Sequence, residues 1–176
     1  MKKLNLSDEI IVDLSNTPHL LKLMELTPLT DLNIEVGLKN IRSAILLSIS
    51  KIKNNSETLK FQIALSLHCF NNEYLYDQTE EEVEALKELE NLVGKKLTNG
   101  QQPSPTELVC LASYKSLHEY SWFNLLSMPI ELEAIQRRQI LEPEKEKQLR
   151  STIPLLSSFK DTVSCKVQEQ YEQNPY

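Results

Sequence analysis

Apolar residues along this chain recur in steps of three and four rather than in alternation, and that spacing predicts helices. Leu32, Ile34, Leu38, Ile41, Ile45, Ile49 and Ile52 line one face of a long helix entered at Thr30 or Asp31. Gly37 lies within it at a cost of about 1 kcal/mol relative to alanine. Asn54-Asn55-Ser56 interrupts the pattern, and Ser56 is placed to cap a following helix whose buried face is Leu59, Ile63, Leu67, Phe70 and Tyr74. So short a connection makes the two helices antiparallel neighbours.

Two capping boxes mark later helix starts. Thr79-Glu80-Glu81-Glu82 opens a helix running through Val83, Leu86, Leu89 and Val93, with its acidic first turn at the positive end of the helix dipole. Ser104-Pro105-Thr106-Glu107 opens another, carried on by Leu108, Leu111, Ala112 and either Tyr114 or Lys115, with proline at the first helical position. Between them Asn99-Gly100-Gln101-Gln102-Pro103 is turn-like, which predicts two helical lobes, residues 1–98 and 104–176, within a chain short enough to be one domain. Further starts are expected at Ser127-Met128-Pro129 and Glu142-Pro143. A last helix over 161–171 turns Val163, Val167 and Tyr171 to one side and ends before Asn174-Pro175. The fold class expected is all-α, an irregular bundle of antiparallel helices without a sheet.

Composition sharpens that expectation. With 3 Gly in 176 residues the chain lacks the material for hairpin turns or phosphate-binding loops, and Gly37, Gly94 and Gly100 are isolated from one another. No nucleotide cradle is predicted, so the chain by itself is expected to hold no cofactor. A net charge of -6 disfavours nucleic acid and anionic membrane as partners. The first residues carry no apolar run behind Lys2-Lys3, so the expected location is the cytoplasm. Cys69, Cys110 and Cys165 are far apart and each sits in an apolar-periodic segment, as reduced core thiols do.

The residue types that carry chemistry do not fall into working patterns. His68-Cys69 and His118-Glu119 lack paired metal-ligand spacing, and His19 has no partner in sequence. Three cysteines and three histidines permit a nucleophile-base pair on paper, but no activating motif surrounds them. The acidic clusters at 80–82 and 142–146 are simplest as helix starts with solvated faces. Tyr114, Tyr120, Trp122 and Phe123 suit core packing first and the lining of a binding groove second. Trp122 and Phe123 are the substrate or partner candidates within this set.

Two stretches carry a resemblance. Leu67-His68-Cys69-Phe70-Asn71-Asn72-Glu73-Tyr74-Leu75-Tyr76, followed by Thr79-Glu80-Glu81-Glu82, resembles the Gln-Cys-Phe-x-Asn-Glu-Tyr-Val-(Tyr/Phe) and Thr-x-x-Glu pattern of bacterial class I S-adenosylmethionine-dependent methyltransferases associated with tetratricopeptide repeats. Val167-Gln168-Glu169-Gln170-Tyr171-Glu172-Gln173-Asn174-Pro175-Tyr176 is similar to their Val-Arg-x-Gln-Tyr-Glu-x-Asn-Pro-Tyr-Pro-Arg-Trp segment. His68 stands where the family has Gln, Gln168 where it has Arg, and the Pro-Arg-Trp continuation is missing. No 34-residue self-similarity is visible, so repeats are not expected from the sequence itself.

The resemblance implies a helical N-terminal region that precedes an absent cofactor-binding domain. It implies S-adenosylmethionine for the whole protein and the methyltransferase domain as a partner in cis, with a protein as a possible substrate. It places Tyr171, Asn174, Pro175 and Tyr176 near that cofactor, and Asn72, Glu73 and Tyr74 among residues that meet a substrate or partner. The chain alone is then non-catalytic. The alternatives are a free-standing helical interaction module and a small all-α enzyme built on His68, Glu73 and His118.

Overall fold

The computed structural model describes residues 8–50 and 56–150, together with 152, 166–167 and 170. Among the described residues all regular structure is helical and no strand occurs, so the fold is all-α. The α-helices are α1 (Asp8–Ser15), α2 (Pro18–Leu26), α3 (Leu32–Leu47), α4 (Ser56–Asn71), α5 (Glu80–Thr98), α6 (Pro105–Ala112), α7 (Glu133–Gln136) and α8 (Glu142–Arg150). Short 3-10 turns at Leu117–Glu119, Phe123–Leu125 and Ile130–Leu132 lead from α6 to α7, and a π-helical turn, Arg137–Leu141, joins α7 to α8. None of these helices is long and apolar enough to cross a membrane.

The starts follow local chemistry. The Asp31 carboxylate accepts from the amides of Asn33 and Ile34 at 2.9 and 3.1 Å and so begins α3. Both capping boxes form, Thr79 with Glu82 and Ser104 with Glu107, whereas the start expected at Glu142-Pro143 falls inside a backbone already helical from Glu133 onwards, with Glu142 at φ -65° and ψ -49°. The Lys96 ammonium grips Glu107 at 2.6 Å, tying the end of α5 to the start of α6. Burial alone would raise the Glu107 pKa, but the hydrogen bonds from Lys96 and Ser104 outweigh it and the net shift is downward.

Residues 99–103 do not divide two cores. They form a turn within one compact unit, Met1–Glu144, while Lys145–Tyr176 is a second unit. Gly100, at φ 72°, supplies the left-handed residue that ends α5, and the Gln101 amide closes back on the Lys96 carbonyl. Beyond the turn, α6 packs on α5, α4 and α3, so apolar side chains from both expected lobes share one core.

The helix faces differ from those the spacing predicts. α4 is the centre of the first unit, packed by α1, α2, α6 and α7, and it is buried nearly all round through Phe61, Ala64, Leu65, Leu67 and Cys69. Of the expected face, Leu59, Ile63, Phe70 and Tyr74 are only half-buried. α3 packs chiefly on α5 and α6 rather than pairing with α4, because its buried stripe is Leu38, Ile41, Arg42, Ile45 and Leu46. Leu32 and Ile34 point to solvent in the first turn, and Val83 does so on α5, whose inward position is taken by Glu82. Ile52, Cys165 and the expected helix face of Val163 and Tyr171 lie outside the described residues.

A Cβ added at Gly37 meets nothing within 4 Å. Gly37→Ala is expected to stabilise the chain by about 0.5–1 kcal/mol, since it only removes backbone entropy from the unfolded state. Urea unfolding followed by circular dichroism measures this, and a lower midpoint for the variant contradicts an open site on α3.

Candidate functional site

The polar centre of the first unit is built on a residue of α3. Arg42 is 1% exposed, and its guanidinium lies 4.1 Å from the Tyr114 ring centre and 5.4 Å from that of Tyr76. Its Nη2 donates to the backbone carbonyls of Tyr76 and Asp77 at 3.3 and 3.2 Å and stands 3.7 Å from Glu82 Oε1. Lys39, one turn earlier, forms an ion pair with Asp77, and this bond holds the Asp77 carboxyl below its ordinary pKa. α3 thereby clamps the loop between α4 and α5 from two successive turns.

Glu82 has two tasks. One carboxylate oxygen accepts from the Thr79 amide at 3.0 Å and completes the capping box. The other accepts from the Tyr114 hydroxyl at 2.7 Å and faces Arg42. The third residue of α5 is thus fixed in the interior by α3 and α6 together. Burial, and then the hydrogen bond to Glu82, push the Tyr114 phenol far above its usual pKa.

Residues 67–76 wrap this centre. His68 Nε2 is 2.8 Å from the Tyr76 hydroxyl, and both side chains are buried. Asn71 donates to the Glu25 and Met24 carbonyls at 2.9 and 3.4 Å, satisfying the end of α2, and accepts from Arg138 at 3.1 Å. Glu73 and Tyr74 both stand at φ 57°, a left-handed conformation that costs a side-chain-bearing residue roughly 1–2 kcal/mol. That geometry sends Tyr74 inward, edge-on to Phe70 at 6.3 Å, turns Leu75 out and brings Tyr76 back in.

The partner candidates separate accordingly. Asn72 is buried, Glu73 is exposed, and Tyr74 is half-buried with burial raising its phenol pKa. Trp122 is buried, stacked on Tyr120 at 4.6 Å with its indole edge against Gly94, and Phe123 is half-buried on the core. Tyr74, Tyr120 and Trp122 all make ring contacts at the core, Tyr74 half-buried and the other two buried. Tyr171, Asn174, Pro175 and Tyr176 lie outside the described residues.

The third constellation, His68, Glu73 and His118, is not assembled by contact. His68 bonds Tyr76, Glu73 faces solvent, and His118 Nδ1 lies 2.8 Å from Ser116 Oγ and 3.1 Å from the Gln139 carbonyl. Gln139, fully buried on the π-helical turn, also donates to the Ala112 carbonyl and accepts from the Leu117 amide. No cluster of three or more metal-ligating side chains occurs among the described residues. Burial pushes the Cys69 and Cys110 thiols each up to about 12, against the pull of Arg42. They are protonated at neutral pH and poor nucleophiles.

Arg42 falls within the apolar stripe of Leu38, Ile41 and Ile45, where apolar spacing alone gives a charged residue no role. A lone arginine at such a position is the signal that points to a buried partner. Comparison with protein-family models, curated proteins and solved structures finds no match.

Two outcomes follow. Arg42→Met strands the Glu82 carboxylate in the core and is expected to cost about 3–5 kcal/mol, whereas Arg42→Met with Glu82→Gln recovers a large part of the loss. Chemical denaturation of the single and double variants measures this coupling, and strictly additive losses contradict it. Burial lowers the His68 pKa below 6.5, opposed by Glu35 and the Thr27 backbone. The unfolded chain then binds the proton more readily, so His68 favours folding above pH 6.5 and that contribution falls as pH drops towards the folded pKa. A His68→Gln variant is expected to flatten the stability profile between about pH 7 and 5, and an unchanged slope contradicts this assignment.

Proposed function

We propose that this chain is a helical binding region with no chemistry of its own, serving a S-adenosylmethionine-dependent methyltransferase by holding its substrate or partner. The observation that carries the non-catalytic part is the interior position of both described cysteines and of His68. Cys69, Cys110, Tyr114 and His68 are locked in packing and hydrogen bonds and have depressed or elevated pKa values that burial imposes. The methyltransferase part rests on the likeness of residues 67–76, 79–82 and 167–176 to that family's motifs. In this chain the first of those segments is a packing hub, a role suited to a supporting region.

A free-standing protein-interaction module is the second proposal, favoured by large apolar side chains held in solvent at Leu32, Leu75 and Ile130. Calorimetric titration of S-adenosylmethionine into the chain is expected to give no saturable heat, and a micromolar isotherm overturns the non-catalytic assignment. Excess chain added to an extract of the producing cells is expected to lower methyl incorporation from labelled cofactor into protein. Unchanged incorporation favours the free-standing module.

A further inference from the structure

Arg42 has more donors than its protein partners use. Nη2 is bonded to the Tyr76 and Asp77 carbonyls, while Nε and Nη1, and Nε2 of Gln62, are buried with no hydrogen-bond partner among the described residues. Both side chains are almost wholly enclosed, at 1% and 2% exposure. Together with Ile45, Leu65, Val109, Cys110, Ser113 and Tyr114 they line a small cavity of about 10 Å³, apolar over most of its wall, with the polar groups of Arg42, Gln62, Ser113 and Tyr114 among its lining residues. Buried N–H groups left unpaired are costly, and interiors satisfy them with ordered water where the wall offers polar partners and one sphere of roughly 10–15 Å³ fits.

Charge and hydrogen-bond capacity select the occupant. Glu82, 3.7 Å away, already balances the guanidinium, so an added anion leaves uncompensated negative charge in the core. A neutral acceptor is required. Water also has two protons to place, and Ser113 and Tyr114, which line the same cavity, each carry a hydroxyl oxygen able to accept one. Those hydroxyls give their own protons to the Val109 carbonyl and to Glu82, leaving lone pairs free. We propose that Arg42 and Gln62 bind a single structural water molecule inside the core, bridging α3 and α4 where α6 crosses them.

The site is tested on the full chain, with the Arg42 Nε–H resonance assigned by its contacts to the Tyr114 ring. Rotating-frame Overhauser spectra are expected to show a direct cross-peak between that proton and the water frequency, distinguished from exchange by its sign. Gln62→Met, which keeps the side-chain volume, is expected to lose the cross-peak while retaining the helical circular dichroism. A folded wild-type chain without the cross-peak overturns the proposal, as does an unaltered cross-peak in the variant. A crystal soaked in bromide that shows an anomalous peak between the two side chains also overturns it, by assigning a halide. Density in which the Gln62 carbonyl accepts directly from Arg42 does so as well, since no bridge is then required.

Discussion

A guanidinium enclosed by helices retains its charge, and the remainder of the first unit is arranged to meet it. Arg42 requires a carboxylate and several acceptors inside the core. Glu82 supplies the first, which fixes the start of α5 against α3. The Tyr114 hydroxyl binds the other face of that carboxylate and brings in the end of α6, while the Tyr76 and Asp77 carbonyls hold the intervening loop. Any packing that separates Arg42 from Glu82 leaves a bare charge in an apolar interior. Removing one partner of such a buried pair is therefore costly, although the intact pair adds little stability beyond what well-packed apolar side chains would give.

The loop after α4 is shaped by the same demand. Tyr74 and Tyr76 both belong in the interior, and an extended chain would place them on one side with Leu75 on the other. Reaching that alternation directly from a helix end takes two successive left-handed residues, Glu73 and Tyr74, without glycine at either. The strain is held by the Tyr74 amide on the Cys69 carbonyl, by the bond between His68 and Tyr76, and by the guanidinium beneath. Exposure of Leu75 is the geometric counterpart of burying its two neighbours.

A chain with 3 Gly must end most of its helices without a glycine cap. Carboxamides take over part of that work across the fold. Asn71 satisfies the last carbonyls of α2, and Gln139, presented by the π-helical turn, satisfies the end of α6 and the start of the next 3-10 turn. Each bond joins residues distant in sequence, so closing a helix end and docking it are one event.

What could be seen in the sequence was whatever depends on a few consecutive residues. The all-α class, the starts at Asp31, Thr79 and Ser104, and the lack of a glycine cradle follow from spacing, capping and composition, which act within one or two turns. Which face of each helix turns inward was decided by neighbours far along the chain. α4 became central because four other helices pack on it, so its expected stripe did not set its burial. Glu82 was legible as a capping residue, but its second oxygen found Arg42 and Tyr114 only when α3, α5 and α6 met. Asn72, Tyr74 and Trp122 carry a binding expectation in the sequence, and their degree of burial, with Asn72 and Trp122 buried and Tyr74 half-buried, is set by segments that the local pattern does not contain. A local pattern can specify where a helix begins, while the partner of a buried charge is a property of distant segments brought together.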